Sequence, residues 1–193
     1  MSNTTMKTAR LVQMAILIAL LAVMTYTPIG FILVPPVSIT LMHIPVIVGS
    51  IVMGPLYGGI LGLAFGVLSM IKATTAAVAV TDMAFSPFLS GSPVASIILC
   101  LAPRILLGVI AGALYQLLSK HLKKDTVSTG ISAVVATACH TVMVLGCLAL
   151  LFDALPLKQV LVTVASLNGL LEMAAAAVVC IAICKPLRKT LNR

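Results

Sequence analysis

Arg104, His140, Asn168 and Glu172 carry chemistry in places where the surrounding sequence offers none. Each lies inside a long run of Leu, Ile, Val, Ala and Met. A guanidinium in such a run keeps its charge, and its planar fork suits a carboxylate. Asn168 and Glu172 are four residues apart, which puts them one turn apart on the same face of a helix. An ionisable group at this depth costs roughly 2.5–3.5 kcal/mol, so it must meet a partner or water. Two readings follow. Arg104 and Glu172 can pair with each other and fix helix register. Alternatively, Arg104 holds an anionic ligand, Asn168 and His140 supply neutral hydrogen bonds, and Glu172 orients Arg104 or meets a ligand hydroxyl. His140 fits equally well as an interior histidine bonded to a neighbouring helix. His43 belongs to the same layer and is counted among the candidate substrate-binding residues, although it reads more readily as structural, since Pro45 leaves a nearby carbonyl without its helical donor.

The elements that must position these groups are membrane helices. The 193-residue chain is 61% hydrophobic and only 8% charged, where a soluble domain carries roughly 25% charge. Breakers and charges divide it into six apolar segments, 9–26, 37–53, 57–72, 95–118, 127–152 and 159–184. The expected fold is an all-α integral membrane protein, a single six-helix transmembrane bundle filling the chain. Lys7 and Arg10 precede the first segment without a small-x-small cleavage site after it, so that segment reads as a retained helix. At 1.5 Å per residue, Arg104 falls about 14 Å below the outer end of the fourth helix and His43 about 10 Å down the second. Asn168 and Glu172 fall at about 15 and 20 Å in the sixth, with His140 near mid-depth in the fifth. All belong to one layer.

Charge sets the orientation. Lys7, Arg10, Lys120, Lys123, Lys124, Lys185, Arg188, Lys189 and Arg193 fall on one side, nine of the twelve basic residues. Positive flanks stay inside, so both termini are expected in the cytoplasm of a multi-pass cell-membrane protein. The net charge of +8 therefore reports topology and anionic headgroups, and no nucleic-acid partner is expected. The nearly uncharged connections 27–36 and 73–94 face outside and can cover a pocket.

Between them runs LMHIPVIVGSIVMGPLYGGILGLAFG, from Leu41 to Gly66, with glycines at 54, 58, 62 and 66. That spacing makes a smooth ridge on a helix, down which another backbone can approach closely. Other chemistries are excluded by what the sequence omits. There is no G-x-x-x-x-G-K-S/T loop and no His-Glu-x-x-His. The five cysteines form no Cys-x-x-Cys pair, so neither a metal nor a cofactor is expected, and no enzyme activity. Ser90-Gly-Ser92-Pro93 lies in a loop beside proline, which does not suit a protease nucleophile.

MHIPVIVG, then GPLYGGILGLAFG, then APRILLGVIAG, in a six-segment chain of this size, resembles the substrate-binding S components of energy-coupling factor (ECF) vitamin transporters. The resemblance spans nearly the whole chain. It implies a binding subunit that works with one transmembrane T component and two cytoplasmic ATPases, in keeping with the missing nucleotide loop. Ala15 and Ala19 are similar to the family's Ala-x-x-x-Ala surface that docks on the T component. Cys139-His140-Thr141 departs from the Asn-Thr usual there, and Leu56 stands where many relatives carry Lys.

MHIPV looks most like the family's pantothenate branch. The chain has no Trp and few aromatics, which favours a compact, carboxylate-bearing vitamin over a flat ring gripped by stacking. Riboflavin, folate and a corrinoid stay open at this point. Of the aromatics near the outer face (Tyr26, Phe31, Phe85, Phe88 and Phe152), Phe88 is assigned to the substrate site. The competing class is a structural subunit of a membrane complex or a small channel. A channel needs polar residues along a full path, whereas here they gather at one depth.

Overall fold

Long apolar stretches become helices in a membrane because no other element satisfies its own backbone there. The computed structural model describes residues 3–27, 30–34, 37–76, 80–122, 124–152 and 167–191. Among them are α1 (Asn3–Tyr26), α2 (Ile44–Met53), α3 (Pro55–Thr75), α4 (Val80–Met83), α5 (Pro93–His121), α6 (Asp125–Leu151) and α7 (Leu167–Leu191). Five of these, α1, α3, α5, α6 and α7, are long and apolar enough to cross a membrane. The expected bundle is present in coarse outline, but its second span is not.

The segment 37–53 divides. Val37–Thr40 forms strand β2, which pairs antiparallel with β1 (Phe31–Val34), Phe31 opposite Thr40 and Val34 opposite Val37. Only Ile44–Met53 is helical, about 15 Å of helix and half a bilayer. The reason is local. Val, Ile and Thr at 37–40 favour a pleated ribbon, and Pro45 is tolerated in a helix only within its first turn. Helix α2 therefore starts at Ile44. His43 is its N-cap rather than a residue 10 Å down a helix, and the Ile44 N–H takes up the Leu41 carbonyl at 3.1 Å. The carbonyl expected to be bare is bonded.

Helix α2 is apolar all round, and nearly every residue from Ile44 to Met53 is buried among α1, α3, α5 and α7. It turns into α3 at Gly54, whose φ of 106° suits glycine and strains other residues. The glycine ridge then does what its spacing suggests. A methyl on Gly62 would collide with the Arg104 carbonyl, and one on Gly58 with that of Gly108. Ser50 Oγ on α2 donates to the same Gly108 carbonyl, tying a third helix into the seam. Helices α3 and α5 thus touch backbone to backbone along the stretch that carries Arg104.

The fourth and fifth segments match α5 and α6 to within three residues at each end. The sixth, expected at 159–184, is helical at Leu167–Leu191, and 153–166 lies outside the described residues.

Candidate functional site

Pro103 makes the centre of the site. Inside α5 it has no N–H for the Leu99 carbonyl one turn back, leaving an acceptor bare in an apolar layer. The next residue supplies the donor. Arg104 curls back and gives Nη1–H to the Leu99 carbonyl at 2.7 Å. The guanidinium also lies over two rings, with Cζ 5.6 Å from the centroid of Phe65 and 5.1 Å from that of Phe85. Phe65 reaches it from α3 because Gly62, one turn earlier, lets the two backbones meet. Phe85 reaches it from the loop after α4.

This leaves one edge of the fork unused. Arg104 is 7% exposed, and its Nε–H is buried without a partner. On α6, the His140 ring lies 6.2 Å from that of Phe65 and stacks on His43 at 6.3 Å, with those two ring planes 19° apart. His140 Nε2 is likewise buried and unpartnered, and so is Thr137 Oγ1, one turn earlier on the same helix. Three orphaned polar atoms therefore lie on two neighbouring helices, in a layer walled by Phe65, Phe85 and His43. A buried polar atom left bare costs about 1–3 kcal/mol, so the arrangement suits a ligand or waters that supply the missing partners. The donor edge fits an anion, and the hydroxyl and imidazole fit neutral polar groups.

The structure places Arg104 and His140 against the same Phe65 ring, and His43 joins them by stacking on His140 from the N-cap of α2 rather than from the depth expected of it. Glu172 is half-buried on α7. Asn168 lies on the same helix, and its side chain is outside the described residues. Phe88 does not join the cluster. It is 82% exposed and lines a groove of about 260 Å³ on the flank of α3 with Val67, Met70, Ile71 and Pro87. Its neighbour in the FSPF stretch, Phe85, turns inward instead. Phe85 stands in the sequence only as one of the outer-face aromatics, and nothing there marks out Thr137 or Phe65, except that Thr137 lies one turn before His140.

Ala15 and Ala19 lie exposed on α1, on a face shared with Leu11, Val12, Ile16, Leu20 and Val23. A face so apolar and smooth belongs against lipid or another helix.

Residues 9–184 match the family described as "ECF transporter, substrate-specific component". The chain is 34% identical over 166 residues to the pantothenic acid transporter PanT of Lactococcus lactis subsp. cremoris (strain MG1363), covering 81% of each sequence. Its fold resembles the crystal structure of the S-component for biotin from an ECF-type ABC transporter, with a TM-score of 0.58 and 21% identity. That match covers 98% of this chain and 95% of the other.

Proposed function

Because the chain belongs to the family of substrate-specific components of ECF transporters, we propose that it binds pantothenate in the Arg104–His140 layer. The observation that carries the reading is the buried, unpartnered Nε of Arg104, held between Phe65 and Phe85, with unpartnered His140 and Thr137 atoms on the neighbouring helix. Pantothenate ends in a carboxylate and carries an amide and hydroxyls along a short, branched, flexible chain. Its carboxylate matches the Arg104 fork, and its polar groups match the imidazole and hydroxyl on α6. The Lactococcus relative is a pantothenic acid transporter, which favours the same vitamin over riboflavin, folate or a corrinoid. Family membership sets aside a structural subunit or a channel. Glu172 and Asn168 are assigned to complete the pocket from α7.

The same proposal includes the assembly and its orientation. The basic flanks support cytoplasmic termini, with the site opening outward. The Ala15–Ala19 face supports docking on a T component, itself driven by two ATPases. The test is titration of the purified chain with pantothenate. Saturable binding is expected, weakened at least about tenfold in Arg104→Lys because the fork is lost while the charge stays. Wild-type affinity in Arg104→Lys removes Arg104 from the site. For the docking face, Ala15→Trp with Ala19→Trp is expected to abolish cellular uptake while leaving titrated affinity unchanged. Equal loss of both makes that face internal packing.

A further inference from the structure

The loop that delivers Phe85 to Arg104 is tied down by a closed set of hydroxyl hydrogen bonds. Thr74 Oγ1 on α3 donates to the Met70 carbonyl at 2.8 Å and lies 2.8 Å from Ser86 Oγ, so the shared proton comes from Ser86. Ser86 Oγ accepts the Phe88 N–H at 3.3 Å. Ser96, fully buried on α5, shares its hydroxyl proton among the Ala84 carbonyl at 2.7 Å, Ser90 Oγ at 2.6 Å and the Ser86 carbonyl at 3.2 Å. Ser90 Oγ in turn accepts the Ser92 N–H at 3.2 Å.

The bonds converge on the residues either side of Phe85. Its own N–H donates to the Asp82 carbonyl at 3.0 Å, and its carbonyl accepts the Cys100 thiol at 3.1 Å. Surface loops are ordinarily held by less than this. The stretch between the fixed points has two faces, Phe85 over the guanidinium and Phe88 on the flank groove. A shift of the loop alone moves the ring from Arg104.

We propose that Thr74, Ser86 and Ser96 are positioning residues for ligand binding, fastening Phe85 over Arg104 so that the Nε edge stays oriented and shielded from water. They touch no ligand and act through the ring. The ligand part of this inference rests on the pantothenate reading above. The fastening itself does not.

The experiment uses the full chain in detergent with ¹⁵N-labelled arginine, following Arg104 Nε–H exchange and, separately, pantothenate dissociation. Thr74→Val and Ser86→Ala are expected to speed both by about tenfold, the size of one desolvated cation–π contact, while association stays within about twofold. Thr74→Ser keeps the hydroxyl and is expected to behave as wild type. Phe85→Leu is expected to match the hydroxyl variants, and adding Ser86→Ala to it should change nothing further, because the serine acts through the ring. The proposal is overturned by wild-type exchange in Thr74→Val and Ser86→Ala, or by additive effects in the double variant. If Arg104→Lys keeps full pantothenate affinity, the ligand reading fails instead, and Nε–H exchange still decides the fastening.

Discussion

Helices α5, α6 and α7 carry an arginine against an aromatic ring at two levels, and the two levels are finished differently. Near the α5–α6 connection, Arg188 donates to Asp125 at 2.6 Å, Tyr115 donates its hydroxyl to the same carboxylate oxygen, and the guanidinium lies 4.7 Å over the Tyr115 ring. Cation, anion and phenol answer one another, tying the ends of three helices. In the other layer Arg104 has two rings and a carbonyl but an idle Nε edge, beside bare atoms of His140 and Thr137. A charge that is meant only to hold helices together is matched by the protein itself. A charge left incompletely matched in an apolar layer leaves a place that a ligand or water can complete, and the pantothenate proposal rests on that difference.

The comparison breaks most severely at the glycine seam, since the Arg104 layer depends on α3 and α5 touching and the Asp125 end does not. Gly62→Leu is expected to force the helices apart, lowering stability by about 3 kcal/mol and abolishing pantothenate binding. Thermal unfolding with titration checks this, and a well-folded, fully binding variant would show that the close approach is dispensable.

Arg104→Met sharpens the contrast further. Removing an incompletely matched cation is expected to lower stability by only about 1 kcal/mol, because it bares the Leu99 carbonyl while sparing the burial of a charge, and to lower affinity by about a hundredfold. The register reading predicts the reverse. Arg104→Met would then cost about 3–5 kcal/mol, and adding Glu172→Gln would restore much of it. Unfolding of both single variants and the double, each titrated with pantothenate, separates the two.

Thr137→Val keeps the shape and removes the bare hydroxyl. Affinity is expected to fall about fivefold if Oγ1 meets the ligand, with stability unchanged or slightly raised. Unchanged affinity would assign Thr137 to packing. The smallest effect belongs to the other level. Asp125→Asn is expected to cost about 1 kcal/mol, because Arg188 and Asp125 side chains are 31% and 47% exposed and water screens the pair. Pantothenate affinity should stay within about twofold. A larger loss of affinity would mean that the two levels are coupled.

The sequence by itself determined the class of molecule and the residues that had to be answered for. Six apolar segments, a glycine every fourth residue from 54 to 66, and a buried arginine follow from composition and spacing, because a bilayer tolerates few alternatives. The levels of Arg104 and His140 were legible because depth along a helix is a count of residues, whereas His43 reaches them from the N-cap of α2, where no such count applies. The tertiary structure decided what meets Arg104. Its carbonyl partner exists because Pro103 bares Leu99, and sequence alone does not say which donor will turn back to it. The division of 37–53 also needed the fold, since Val, Ile and Thr serve a strand and a buried helix alike until a partner strand is present. The choice between Phe85 and Phe88 was beyond pattern altogether. They lie three residues apart in a loop, where no helical or strand period assigns a face, and it is the folded loop, bonded through Thr74, Ser86 and Ser96, that has one turned inward and the other out.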